Sequence, residues 1–270
     1  ESLTVGQSWD PSSIVTPLML KPEASLERAL TSLDSGEKWL VEPTMRENNP
    51  QLWSPGVKLG VKRGSWFHKT ECFGPVLGLI RADNLKDAMA IQNDSDFGLT
   101  GGIHTLDDRE IRVWREQVEV GNAYINRPIT GAIVQRQPFG GWKKSCFAPA
   151  KAGGPNYVSI FATWEQVEMP VAVSDLSHNV GVLLNELKSV LDETRLLVSA
   201  AGSFAHWYEK EFSIEHDPSS FHGETNHFRY VPIKRLLVRA EGIDDTELAV
   251  ILLAAATAGV LVDVSVSSER

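Results

Sequence analysis

The chain has 270 residues, 42% hydrophobic and 23% charged, the composition of a soluble globular protein long enough for one large domain or two ordinary ones. A formal charge of −9 argues against a general nucleic-acid binder, which needs a basic face. The best apolar run, residues 248–258, is too short to span a bilayer and reads as a buried helix, so no transmembrane segment is expected.

From its first residue, Glu1 rather than Met, the chain runs directly into strand-like sequence and is expected to be a piece of something longer. No signal peptide is visible, and two cysteines, Cys72 and Cys146, make no disulfide framework, so a cytoplasmic location is expected. Leu26, Leu30 and Leu33 share one face of a helix predicted over residues 25–33, with Ser25 as its N-cap. Residues 76–82 carry a buried-strand pattern. Asp83 then caps a helix with Leu85, Ala88 and Met89 on one face, which ends in the polar run 92–96. Residues 100–106 are strand-like. Asp107 and Glu110 form a capping-box-like pair before a helix that turns Ile111, Trp114 and Val118 inward. Residues 123–126 return as a strand, and such alternation implies α/β layers with some parallel pairing. A lone strand-like segment covers residues 157–164, and a boundary follows over residues 165–170. Beyond it, Val180, Leu183, Leu184, Leu187, Val190 and Leu191 keep helical spacing, and residues 217–226 are loop-like. Strand 234–240, helix 246–258 and strand 260–266 then make a βαβ unit. The expected domains are 1–164 and 165–270. The βαβ unit stops after its second strand, so its edge is expected to be completed by another segment or chain.

Three segments carry chemistry. The most informative is Thr130-Gly131-Ala132-Ile133-Val134-Gln135-Arg136-Gln137-Pro138-Phe139-Gly140-Gly141. Gly131 has no Cβ and can bring its N–H close to a ligand, and successive N–H groups in such a turn can cradle a carboxylate. Taken locally, an ordinary surface loop fits equally well. The other two are Thr70-Glu71-Cys72-Phe73-Gly74-Pro75-Val76 and Gly121-Asn122-Ala123-Tyr124-Ile125-Asn126-Arg127. Glu71 is either a capping or surface glutamate or, chemically, a bidentate acceptor for a vicinal diol. Cys72 follows a carboxylate that raises a thiol's pKa, and Cys146 follows Lys143 and Lys144 without an identifiable partner base. Both read as surface or packing cysteines. Gly140-Gly141-Trp142-Lys143-Lys144-Ser145 has the wrong spacing for a phosphate loop. His216, Asp217, His222, Glu224 and His227 match no common zinc spacing and read as solvated loop residues.

In order and spacing, the three segments resemble the C-terminal half of an aldehyde dehydrogenase. The likeness is strongest to the pyrroline-5-carboxylate (glutamate semialdehyde) dehydrogenase module of bifunctional bacterial proline utilization A proteins. It covers residues 15–158 and includes Gly36-Glu37-Lys38-Trp39-Leu40-Val41, Trp53-Ser54-Pro55-Gly56-Val57-Lys58, Phe97-Gly98-Leu99-Thr100 and Ala152-Gly153-Gly154-Pro155-Asn156-Tyr157. A looser likeness from residue 223 to residue 259 is to the C-terminal region of longer members. The resemblance implies an α/β fold: part of the aldehyde dehydrogenase catalytic domain, then a C-terminal α/β domain that contains the βαβ unit and is Rossmann-like.

The resemblance also implies roles. Glu71 accepts hydrogen bonds from the nicotinamide ribose hydroxyls of NAD, and Phe73 packs near the nicotinamide. Gly131 and Ala132 form the aldehyde anchor, whose backbone N–H groups hold the substrate α-carboxylate, so the side chain at 132 is nearly free. Phe139 is the aromatic wall against the aliphatic part of the substrate, with plain core packing as its alternative. In the family a cysteine thiolate attacks the aldehyde and a glutamate activates the water that hydrolyses the thioester. Both lie before the matching region, so no catalytic residue is expected in this chain. FAD is implied only if a proline dehydrogenase domain lies upstream. The expected function is that of the C-terminal part of an NAD-dependent glutamate semialdehyde dehydrogenase. Such a part is inactive alone and needs the preceding part of the same protein, and it is expected to self-associate through a strand at 157–161. The alternatives are an aldehyde dehydrogenase of other specificity and a non-catalytic assembly or tunnel-closing module.

Overall fold

The computed structural model describes residues 3–133, 136–147, 150–163, 165 and 175–266. The chain forms two compact units, Glu1–Tyr157 and Val158–Arg270. Residue 164 and residues 166–174, around which the sequence places a boundary, lie outside the described residues, as do Val134 and Gln135 of the anchor segment.

In the first unit, helix α1 (Ala24–Thr31) buries Ala29 and Leu30. Its cap is not Ser25, which lies inside the helix. Glu23 is the last extended residue, and its carbonyl already accepts from Leu26 N–H at 3.1 Å. Strands β1 (Lys38–Val41), β2 (Met45–Arg46), β3 (Asn49–Trp53) and β4 (Gly56–Leu59) follow, none of which the sequence pattern announces. Glu47 and Asn48 both adopt positive φ between β2 and β3, the two-residue turn whose twist suits a hairpin. Helix α2 (Trp66–Lys69) leads to β5 (Val76–Leu79), and the sheet order is β1-β4-β5, antiparallel then parallel.

Lys58 on β4 is buried, and with the Glu37 side chain it forms an ion pair of 3.5 Å in which both side chains are 2% exposed. The Lys58 ammonium also donates to Ser32 O at 2.7 Å and lies 4.7 Å from the Phe67 ring centroid. Such a pair persists in a low-dielectric interior only with supporting partners.

Helix α3 (Leu85–Asn93) is capped by Asn84, not Asp83: the Asn84 side chain accepts from Asp87 N–H at 3.0 Å, while Asp87 returns a bond to Asp83 N–H. After β6 (Phe97–Gly98) come β7 (Thr100–Ile103), helix α4 (Asp108–Gln117) and β8 (Asn122–Ile125). Strands β7 and β8 pair in parallel, so this is a strand–helix–strand crossover. Asp107 caps α4, and Trp114 and Val118 join Met89 in a core cluster, as their helical spacing requires. Strand β9 (Trp142–Lys143) pairs with β6.

The second unit starts with a 3-10 turn at Val158–Phe161, where a strand is expected. A lone strand leaves its backbone groups without ladder partners. Here local turns supply them, with Tyr157 N–H bonded to Gly154 O and Ala162 N–H to Ser159 O. Helix α5 (His178–Val190) follows, then α6 (Thr194–Trp207) and a π-helical turn at Tyr208–Phe212. Helix α6 carries a weak apolar period because, beside Leu197, its buried residues are small (Ser199, Ala200, Ala201, Gly202). Such residues let α6 approach its neighbours closely, and Ala201 shares a core with Val180, Leu184, Leu197, Ala249 and Leu253. Strand β10 (Arg235–Arg239), helix α7 (Asp245–Ala258) and β11 (Leu261–Ser265) form the expected parallel βαβ unit. Asp244 caps α7, and Gly259, at φ 71°, ends it. Among the described residues no helix is long and apolar enough to cross a membrane.

Candidate functional site

Two loops of the first unit carry the residues singled out in the sequence. Glu71 and Phe73 lie between α2 and β5. Ser65 caps α2, and the chain leaves the helix at Thr70. Gly74 passes so close to α1 that a Cβ there would lie 2.3 Å from a methyl of Leu26. Gly56 N–H then ties Pro75 O at 2.8 Å. Phe73 stands in the left-handed region at φ 50° and is 87% exposed. That combination costs free energy twice, in backbone conformation and in apolar exposure. Glu71 is exposed, and among the described residues its carboxylate has no hydrogen-bond or ion-pair partner. The loop thus presents a free carboxylate and a bare aromatic ring two residues apart.

Cys72, between them, is partly buried and donates weakly to Thr70 O at 3.6 Å. Burial pushes its thiol pKa up, the Lys58 ammonium opposes this, and the Glu71 carboxylate adds to the rise. A thiol held protonated is a packing group, not a nucleophile.

The second loop begins where β8 ends. Asn126 takes a left-handed conformation at φ 56° and closes the exit with its side chain: Oδ1 accepts from Thr105 N–H at 3.0 Å and Nδ2 donates to Thr105 O at 2.9 Å. Gly131 has φ 82°, with open space where a Cβ would point. Among the described residues neither the Gly131 nor the Ala132 N–H has an acceptor in the protein, whereas the next, Ile133 N–H, is taken by Gln137 Oε1 at 3.3 Å. A left-handed glycine followed by free amides is an arrangement that can receive an anionic oxygen. Phe139 is bridged to Ala152 through both backbone groups, at 3.0 and 2.9 Å, and its side chain is 40% exposed.

No hydrogen bond or ion pair among the described residues joins Glu71 or Phe73 to Gly131, Ala132 or Phe139. What the two loops share is the turn after α3. From one side Lys69, just before Thr70, donates to Asp94 O and to the Asp94 carboxylate. From the other, Lys143 donates to Asn93 O at 2.5 Å and to Ser95 O at 3.0 Å, and pairs with Glu119 at 2.9 Å. Cations at the carbonyl end of a helix are favoured by its dipole.

Sequence reasoning missed the residues that hold these loops. Asn122, Asn126 and Lys58 appear in it only as letters of motifs, and Lys151 not at all. Lys151 sends its ammonium to Gly121 O; burial lowers its pKa while the nearby Cys146 opposes that. An amide flanking an apolar strand is the one available signal, and it is a common pattern.

The family model described as the aldehyde dehydrogenase family matches residues 1–167. The 1-pyrroline-5-carboxylate dehydrogenase of Bacillus subtilis (strain 168) is 34% identical over 161 residues, covering 58% of this chain and 31% of that protein. The structure of proline utilization A (PutA) from Corynebacterium freiburgense is similar over 99% of this chain and 27% of its own, at 44% identity and a TM-score of 0.89. A 1-pyrroline-5-carboxylate dehydrogenase from Thermus with bound NAD is similar over 59% of this chain and 31% of its own, at 31% identity and a TM-score of 0.53. The chain therefore spans less than a third of each of these relatives. With well over half of its length matched, the chain belongs to the aldehyde dehydrogenase family.

Proposed function

We propose that this chain is the C-terminal part of an NAD-dependent L-glutamate γ-semialdehyde (1-pyrroline-5-carboxylate) dehydrogenase of proline catabolism. The observation that carries the substrate assignment is the pair of free N–H groups at Gly131 and Ala132. They suit a substrate with a carboxylate at one end, which an aliphatic aldehyde lacks. Likeness to a proline utilization A over 99% of the chain supports the same reading.

In this reading the Gly131 and Ala132 amides hold the α-carboxylate, and Phe139 packs on the methylene groups, which fixes the distance from carboxylate to aldehyde. The Glu71 carboxylate accepts from the two ribose hydroxyls and Phe73 lies against the nicotinamide. NAD, when bound, supplies the hydride acceptor. The free carboxylate and the exposed ring fit that group without displacing any protein partner. The thiol nucleophile and the general base come from the preceding part of the same protein, so this chain alone turns over no aldehyde.

The test compares NAD reduction by the full-length protein and by this chain. Turnover of 1-pyrroline-5-carboxylate by the former, well above that of acetaldehyde, is expected; equal or faster acetaldehyde turnover would overturn the substrate assignment. Activity in the 270-residue chain would overturn the division of labour. In the full-length protein, Glu71→Gln is expected to raise the KM for NAD about tenfold, the loss of a charged acceptor, with the melting temperature unchanged.

A second role, self-association, is favoured by the segment at Val158–Phe161, where Val158 and Phe161 are more than 70% exposed. Apolar side chains exposed on one turn suit pairing with a second copy. We propose that residues 165–270 form a C-terminal helper domain.

A further inference from the structure

Phe139 sits on a turn fixed by a side chain to which the reading above gives no work. Asn122, on β8 and buried, donates from Nδ2 to Pro138 O at 3.0 Å and accepts at Oδ1 from Gly140 N–H at 3.1 Å. The two bonds lie on either side of Phe139 in the chain. Phe139's own N–H and C=O are both occupied by Ala152. Every backbone group from Pro138 O to Gly140 N–H is therefore tied, so the ring departs from a backbone with little freedom.

The approach is close. A Cβ on Gly121, the residue before Asn122, would lie 1.8 Å from the Gly140 carbonyl oxygen. Lys151 covers the other side, its stem against Gly140 and its ammonium on Gly121 O. The chemistry of the clamp is specific to a carboxamide. It needs one donor and one acceptor about 2 Å apart, which a planar amide offers and neither a carboxylate nor an aliphatic group does. By contrast the Gly131–Ala132 amides are free, so the loop is fixed at the wall and open at the anchor.

We propose that Asn122 is a positioning residue for aldehyde binding: it fixes how far the Phe139 ring stands from the anchor amides and so which chain length between carboxylate and aldehyde is accepted. The proposal rests on the function given above. In the full-length protein, Asn122→Ala is expected to raise the KM for 1-pyrroline-5-carboxylate about tenfold, the loss of two hydrogen bonds, with kcat and the KM for NAD within about twofold. Asn122→Ser keeps a hydroxyl that can accept from Gly140 N–H or donate to Pro138 O and should recover part of the loss. It also carries the test if the alanine variant does not fold. In this chain the Gly140 amide should exchange with solvent faster in Asn122→Ala while the Gly101 and Gly102 amides on β7 do not.

An unchanged KM in Asn122→Ala, or unchanged Gly140 exchange, would overturn the role given to Asn122. So would a parallel loss in kcat and both KM values, the sign of a general structural defect. A wild-type protein that leaves 1-pyrroline-5-carboxylate untouched would instead overturn the functional reading itself, and with it any role for Asn122 in binding that aldehyde.

Discussion

The Glu71–Phe73 loop and the Gly131–Phe139 loop belong to one unit and are built by opposite means. The first displays side chains, a carboxylate and a ring, and is held by the contact of Leu26 on Gly74 and by Gly56 N–H on Pro75 O, at the start of the strand that carries the buried Lys58–Glu37 pair. The second displays backbone amides and is held by carboxamides, Asn126 at its start and Asn122 at its end. A site made of side chains can be edited without disturbing its support. A site made of backbone has its specificity and its conformation in the same atoms, so editing one changes the other.

The comparison breaks most readily at Lys58. Replacing it by Ala leaves the Glu37 carboxylate buried without its cation, and Glu37 Oε1 already has no hydrogen-bond partner. A loss of about 3–5 kcal/mol is expected in urea unfolding of this chain, the usual result of removing one member of a buried pair. The double variant Lys58→Met with Glu37→Leu should restore most of it, because no orphaned charge remains. A loss below about 1 kcal/mol for the single variant would mean that the pair does not hold the strand from which the first loop is tied.

A smaller effect sharpens the other half. At Gly131 a methyl group meets nothing within 4 Å, so Gly131→Ala has no steric penalty and only that of φ 82°. About 1–2 kcal/mol of stability should be lost, or else the turn relaxes to negative φ and moves the amides. In either case the KM for 1-pyrroline-5-carboxylate in the full-length protein rises while that for NAD holds. Equal rises in both would show that the two loops are not separate devices.

How much of this could be read in the sequence differs between the two loops for the same reason. Glu71 and Phe73 are informative as letters because their side chains are the functional atoms. At Gly131 and Ala132 the functional atoms are N–H groups common to every residue but proline, so only the glycine gives a hint, and the resemblance to a family supplies the rest. The supports were less legible still. Lys58 on a strand reads as an exposed charge until Ser32 O and Glu37 are seen around it. Asn122 and Asn126 act on backbone far away in sequence, which spacing does not encode. Helices α3, α4 and α5 were legible because apolar side chains keep a helical period, and α7 because its sequence is apolar nearly all round. Helix α6 buries alanine, serine and glycine beside a single leucine, and the 157–161 segment has strand-like composition without a strand partner among the described residues.

The smallest expected effect concerns the turn that touches both loops. Hydrogen bonds from Lys69 and then Arg63 hold the Asp94 carboxyl down to about 2, against an ordinary 3.8. A carboxyl whose pKa is lower in the folded than in the unfolded chain adds stability above the unfolded value, and this is lost as pH falls through the folded one. Wild type and Asp94→Asn should therefore unfold alike near pH 2 and diverge as pH rises from about 2 to about 4, with wild type the more stable above that. The groups are partly exposed, so the gap should be small and shrink with added salt. Lys69 enters this turn from the Glu71 side, whereas Lys143, from the Phe139 side, binds the carbonyls of Asn93 and Ser95 and not the Asp94 carboxylate. Protonating Asp94 should then quicken amide exchange around Glu71 and leave Gly140 as it was. If Gly140 exchange quickened in step, the turn would be coupling the loops, and their separate construction would not amount to separate control.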